Sequence, residues 1–177
     1  MADEILIQVT EDDNVLGPIP RKAVHGNPAL IHRSVHVLVL GPDGGMLLQK
    51  RSLRKDTQPG KWDTSVGGHV GFGQTYEEAA RREAEEELGI ALGELLFLYP
   101  SRIRNRVESE NIHTFLHVSA GPFRPEPGEI DELRFWSGEE ILTALGTGAF
   151  TPNFEEEFAL FLASPYAKLL AGAGSGK

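Results

Sequence analysis

The chain contains no cysteine. Disulfide bonds and thiol catalysis are therefore excluded. It also lacks any run of eighteen apolar residues, so no segment is expected to cross a bilayer as a helix. Basic residues are few, with 17 Lys and Arg against 26 Asp and Glu and a net charge of −9. A bare nucleic-acid backbone is a poor partner for such a chain. The N-terminus, MADEILIQVTEDD, is acidic and has none of the basic and apolar regions of a secretory signal, so a cytoplasmic location is the default expectation. No internal repeat is present. The 177 residues suffice for one domain with a substantial core. That domain is expected over residues 1–170, with an N-terminal strand extension over about 1–30 and a disordered tail at 171–177.

The stretch from Gly68 to Ile90 carries the chemistry. A glycine-rich loop, Gly68-His-Val-Gly-Phe-Gly-Gln74, runs into an acidic helix. Thr75 and Glu78 have capping-box spacing, which predicts a helix from Tyr76. Gly89 after Leu88 predicts its end, because glycine takes the left-handed conformation at little cost. Glu83, Glu86 and Glu87 stand at i, i+3 and i+4, within about 100° of arc, so they share one face. Carboxylates this close resist joint ionisation. A bound cation removes that conflict, and hard oxygen ligands suit Mg²⁺ or Mn²⁺. Arg82, four residues before Glu86, is placed to orient a carboxylate. A solvated acidic surface helix would account for the glutamates alone, but not for the glycine turn, the sharp caps and Arg82 together.

This pattern resembles the Nudix box, G-x5-E-x7-R-E-U-x-E-E-x-G-U with U a bulky aliphatic residue. The chain matches it at Gly68, Arg82, Glu83, Glu86, Glu87, Gly89 and Ile90. It departs at Gln74, where a loop glutamate is expected, and at Ala84, which is small. The resemblance implies an α/β/α sandwich, a mixed sheet packed between helices. It also implies a metal-dependent hydrolase of a diphosphate linkage. Glu86 and Glu87 would then be the leading ligands, with Glu83 next and the Gly68 carbonyl completing the shell. Gln74 removes one carboxylate from that shell. The general base is open among Glu83, Glu110, Glu126 and Glu129.

The segment before the box is similar to isopentenyl-diphosphate isomerase and its hydrolase relatives, through Gly17-Pro-Ile-Pro-Arg21, His25, Ile31-His-Arg-Ser34, Leu47-Leu-Gln-Lys-Arg-Ser52 and Trp62-Asp-Thr-Ser-Val-Gly-Gly-His69. In the isomerases a catalytic Cys stands where this chain has Gly67, and a catalytic Glu where it has Ile112. The resemblance assigns His25, His32 and His69, with Glu110, to a second cation site, for which Mn²⁺, Zn²⁺ and Mg²⁺ all fit. It assigns Arg51 and Lys55 to diphosphate binding, and Lys61 lies in the same basic cluster. Histidines that only cap turns are the plainer reading of His25 and His32, and surface solvation is the plainer reading of Lys61.

Elsewhere, Val35 to Leu40 reads as a buried strand, the Pro42-Asp-Gly-Gly45 turn as a hairpin loop, and Met46-Leu47-Leu48 as the return strand. Further strands are expected near Leu95–Tyr99, Arg102–Val107, Thr114–Ser119 and Glu129–Trp136. Ser137 with Glu140 is a second capping box, opening a helix to about Leu145. Asn153 is expected to cap a last helix, Phe154–Leu162. Arg102, Arg104 and Arg106 alternate at strand period, as a phosphate-binding wall or a protected edge. Phe72, Phe97, Phe115 and Trp136 are candidates for stacking on a substrate or for core packing. The strand Ile5–Val9 is expected to pair within the domain or across a homodimer.

The expected function is Mg²⁺-dependent hydrolysis of a nucleoside diphosphate linked to another group, or of a similar small diphosphate. Two alternatives belong to other classes. An isomerase moving a double bond in a prenyl diphosphate is opposed by Gly67 and by the absence of any thiol. A non-catalytic ligand sensor is opposed by the intact Arg82-Glu83 and Glu86-Glu87 pairs.

Overall fold

The computed structural model describes residues 4–171. Apart from Ala171, the tail expected to be disordered lies outside them. Strands β1 (Ile5–Val9) and β2 (Val15–Pro20) lead through a single helical turn α1 (Arg21–Val24) to β3 (Ile31–Leu40). The strands β4 (Met46–Arg51), β5 (Trp62–Asp63) and β6 (Val66–His69) precede helix α2 (Tyr76–Leu88). After it come β7 (Leu96–Arg104), β8 (Ser109–Val118), β9 (Ile130–Trp136), α3 (Gly138–Ala144) and α4 (Pro152–Ala163). Among the described residues these strands form one mixed sheet.

The sheet is organised around β3. One of its edges pairs in parallel with β8 from Ile31↔Ser109 to Leu40↔Val118. Its other edge is shared in succession by β1, β6 and β4, all antiparallel. Because side chains alternate across a strand, β3 serves two cores. Val35, Val37 and Val39 face α2 and pack with Ala79, Ala80, Ala84 and Leu88. Leu38 and Leu40 face α3 and α4 and pack with Ile141, Phe154, Phe158 and Phe161. A strand buried on both faces reads as a continuous apolar run, which is what Val35–Leu40 shows.

Local chemistry sets the boundaries. The Thr75–Glu78 capping box is formed in both directions, and Gly89 ends α2 at φ +64°. A Cβ on Gly89 would lie 2.9 Å from the Arg124 Cβ, so space as well as conformation requires glycine. The Ser137–Glu140 box opens α3. Helix α4 starts earlier than expected: Thr151, not Asn153, is its cap, with Pro152 in the first turn where its missing N–H costs nothing. The two strands expected at Leu95–Tyr99 and Arg102–Val107 are one strand, β7, which tolerates Pro100 because it lies at the sheet edge, paired only with β8 among the described strands. Arg106 falls beyond it, while Arg102 and Arg104 reach back to Glu11, so they tie β7 to the β1–β2 turn. Gly67 and Gly68 lie in strand β6 rather than in a turn. Strand β1 pairs inside the domain, with β2 and β3.

Phe158 is buried at the centre of the α4 core. Phe158→Ala should cost about 3–5 kcal/mol of stability, measured by urea denaturation, with secondary structure retained.

Candidate active site

Three strands bring the site together. Antiparallel pairing sets Ser34 opposite His69, and His36 opposite Gly67. Parallel pairing sets His32 opposite Glu110, Ser34 opposite Ile112, and His36 opposite Thr114. The even-numbered face of β3 is therefore polar at one end, through His32, Ser34 and His36, and apolar at the other, through Leu38 and Leu40.

At the polar end His32, His69 and Glu110 each offer a ligand atom within 4.8 Å of one another. The His32 Nε2 is 3.1 Å from Glu110 Oε1, and the His69 Nε2 is 3.9 Å from the same oxygen. Ser34 donates a 2.7 Å hydrogen bond to that oxygen. His32 is fully buried, yet neither ring nitrogen has a partner at hydrogen-bond geometry. Such orphans are rare in native proteins, and a cation between the imidazoles and the carboxylate would satisfy the Nε2 that faces Glu110. Burial alone would raise Glu110, but the neighbouring His32 and His69 imidazoles pull it down to about 2. His25 lies at the rim, exposed, with its Nε2 3.4 Å from that of His69. The donor set thus fits a divalent ion at His32, His69 and Glu110, with His25 within reach.

The box carboxylates stand across β6 from this cluster. Gly68 lies so close to Glu83 that a Cβ there would meet its side chain at 2.0–2.5 Å. Arg82 is the organiser. It donates to the His69 carbonyl at 2.9 Å and pairs with Glu83 at 2.9 Å and Glu86 at 3.0 Å. Gln74 is turned to structure: its Oε1 accepts from the Gly71 N–H and lies 3.4 Å from Arg82. The shared face is not uniform. Glu83 is buried, whereas the Glu86 side chain is 59% exposed. Glu87 accepts from Gln49 at 2.9 Å and from the Gly67 N–H. Burial first, and then repulsion by Glu83, push Glu87 up to about 8. Burial likewise raises Glu83. These are the strains that a cation would relieve.

A profile of the NUDIX domain matches residues 30–156. The chain belongs to the Nudix family. An uncharacterized Nudix hydrolase of Yersinia pestis is 38% identical over 157 residues, covering 87% of this chain and 83% of that one. An isopentenyl-diphosphate Delta-isomerase of Streptomyces avermitilis is 30% identical over 182 residues, covering 99% of this chain and 91% of that one. A Deinococcus radiodurans crystal structure superposes with a TM-score of 0.74 at 29% identity, covering 88% of this chain and 98% of that one. The α/β Nudix fold expected from the box is therefore established, and the isomerases among the relatives agree with the resemblance read from the segment before it. Family members are typically hydrolases that use a divalent metal.

The basic residues of this Nudix chain divide. Arg51 is fixed by Asp63 at 3.2 Å and by the Thr57 carbonyl. Lys55 pairs with Glu129, and its charge favours the ionised form of Glu87. Lys61 sits opposite Arg51, whose backbone N–H it accepts. Glu126 lies beside the end of α2, its N–H donating to the Glu87 carbonyl. Of the aromatic candidates, Phe115 and Trp136 are core residues, while Phe72 and Phe97 are exposed.

Sequence reasoning missed one polar group on this face. His36 Nδ1 lies 2.5 Å from Glu157 Oε2, and the other Glu157 oxygen accepts from the Tyr99 hydroxyl at 2.6 Å. Thr114 adds a longer contact of 3.4 Å. Glu157 sits among the phenylalanines of α4; at i+3 from Phe154 and four before Phe161 it lies on the apolar stripe, a local signal that Glu155 and Glu156 lack. Burial alone would lower His36, but the Glu157 carboxylate overrides it and raises the imidazole to about 9. An unfolded His titrates near 6.5. The pair's contribution through His36 is therefore complete below about 6.5 and is lost as pH rises through about 9. The stability gap between the parent and Glu157→Gln should accordingly narrow from pH 6.5 to pH 9.5 in urea titrations. A constant gap would remove the ion-pair assignment.

Proposed function

We propose that this protein is a divalent-cation-dependent hydrolase of a diphosphate linkage in a nucleoside-diphosphate conjugate or a closely related small molecule. One observation carries the reading: the box carboxylates and the His32–His69–Glu110 cluster flank the same dipeptide, Gly68-His69. Glu86 and Glu87 are assigned as cation ligands on the helix side, with Glu83 and the Gly68 carbonyl. His32, His69 and Glu110 are assigned on the sheet side, joined by His25. Magnesium or manganese bound there would neutralise charge on the diphosphate and lower the pKa of a bound water.

The residues then have distinct tasks. Arg82 holds Glu83 and Glu86 in register with the His69 carbonyl. Gln49 and the Gly67 N–H aim Glu87. Arg51, Lys55 and Lys61 supply the counter-charge for the substrate in an otherwise acidic chain. Small-molecule recognition, rather than binding to a polymer, follows from that balance.

The similarity to isopentenyl-diphosphate isomerases favours a second reading, double-bond migration in a prenyl diphosphate. That chemistry needs an acid and a base at positions where this chain has Gly67 and Ile112, the latter buried in the sheet. Isopentenyl diphosphate therefore belongs in the assay, and its isomerisation would overturn the hydrolase reading.

The deciding experiment is a Mg²⁺ and Mn²⁺ turnover screen over nucleoside diphosphate sugars, dinucleotides, nucleoside triphosphates and coenzyme A. Glu86→Gln and Glu87→Gln should each lower kcat/KM by about 100-fold or more, at or beyond the cost of losing an outer-shell partner of a metal site. Unimpaired turnover in both variants would sink the assignment. A ligand that must shed a proton also makes cation binding pH-dependent. With Glu87 raised to about 8, Mg²⁺ affinity should climb about tenfold per pH unit below that value and level off above it. Isothermal calorimetry from pH 6 to 9 checks this, and a flat profile would exclude Glu87 as a ligand.

A further inference from the structure

The His36–Glu157–Tyr99 group is built with more care than a structural contact requires. A bulge in β7 between Phe97 and Tyr99 shifts the register, so that Phe97 pairs with Phe115 and Tyr99 with Thr114. Without it, residues 97 and 99 would point to the same face. The bulge turns Tyr99 onto the polar face, where its hydroxyl reaches Glu157. Glu157 in turn sits on α4, with its side chain 2% exposed, and spends both oxygens on Tyr99, Thr114 and His36. The imidazole is thereby clamped through Nδ1.

Its other edge is free of protein partners. Among the described residues no hydrogen bond uses His36 Nε2, and that nitrogen is not one of the buried orphans. The side chain is 12% exposed, so this edge meets solvent. It looks onto Gly67, where an added Cβ would lie 3.5 Å from His36 Cδ2 and 3.8 Å from Nε2. Any larger side chain at position 67 would cover the nitrogen. Gly67 is two residues from His69 along β6, about 7 Å.

We propose that His36 selects the group carried by the diphosphate: its Nε2 donates to an oxygen of a hydroxylated or phosphorylated group seated over Gly67. The proposal rests on the hydrolase reading above and names the substrate class for it. Nδ1 faces a carboxylate and therefore carries a proton. Glu157, Glu110 and Asp63 together favour the charged ring, which leaves Nε2 a donor as well. A donor held in place at a partly exposed edge, with no side chain on Gly67 to cover it, fits a sugar hydroxyl or a terminal phosphate. A hydrocarbon chain in the same place would strip water from Nε2 and return nothing.

The test compares three substrates with one nucleoside: the nucleoside diphosphate sugar, the nucleoside triphosphate, and the nucleoside diphosphate as reference. In His36→Gln, kcat/KM for the sugar or the triphosphate should fall about 10- to 100-fold relative to the reference, the effect of losing one charge-assisted hydrogen bond. A fall confined to the sugar assigns a hydroxyl contact, and one confined to the triphosphate assigns a phosphate contact. Gly67→Val leaves the Glu157 network intact, and it should produce the same change in selectivity by covering Nε2. Tyr99→Phe should weaken the selectivity less, since it only loosens the clamp. Ratios unchanged in both His36→Gln and Gly67→Val would overturn the proposal. Absence of any turnover by the parent would instead overturn the hydrolase reading. In that case calorimetric binding of the same three compounds decides the subsite, and loss of discrimination in His36→Gln supports it. Equal affinities in parent and variant, or no binding at all, overturn it.

Discussion

The molecule depends on the burial of β3 on both faces and the pairing of both its edges. A strand in that position cannot slip, because a one-residue shift would send every side chain to the opposite layer. The register that places Val35, Val37 and Val39 against α2 and Leu38 and Leu40 against α4 also fixes His32, Ser34 and His36 in a row on one face. The apolar half of the strand supplies the constraint, and the polar half inherits its precision. His32 and His36 are thus positioned by packing several residues away from them.

A second layer of control comes from groups that hold rather than react. Arg82 joins the carbonyl of one strand residue to two helix carboxylates. Gln49 reaches from β4 to Glu87, and Ser34 reaches from β3 to Glu110. Each fixes a carboxylate that would otherwise be free to rotate. Glu83 and Glu87 are raised while Glu110 is lowered, so carboxylates within one cleft differ in how readily they shed a proton. The difference follows from their surroundings: an acidic neighbour and burial for Glu87, imidazoles for Glu110.

Much of this was legible in the sequence where chemistry is local. The Thr75–Glu78 and Ser137–Glu140 boxes and the Gly89 stop announce α2 and α3 because capping is decided within a few residues. The glutamate face, Arg82 and the family resemblance came from the same short stretch. What escaped depends on contacts distant in sequence. The β7 bulge, the single strand in place of two, and the pairing of Gly67-Gly68 as a strand are settled by β8 and β3. Glu157 falls on the apolar stripe of α4 at i+3 from Phe154, which marks it among its neighbouring glutamates, but its partner His36 lies far earlier in the chain. Phe115 and Trp136, open between ligand stacking and core, went to the core for the same reason. Thr151 displaced Asn153 as a cap because Pro152 suits a first turn, a local cue that was available and overlooked.

The two glycines of β6 point in opposite directions, one into the contact with Glu83 and the other toward His36. Between the carboxylate side and the imidazole side there is at that point no side chain, only the thickness of a peptide backbone. The dipeptide thus separates the Glu83 side from the His36 side by the thickness of a backbone alone. Enlarging Gly68 would force Glu83 or the backbone to move, whereas a side chain at Gly67 would meet His36 and Thr64 at ordinary contact distance. The smallest residues in the cleft thus set how closely its two halves can cooperate.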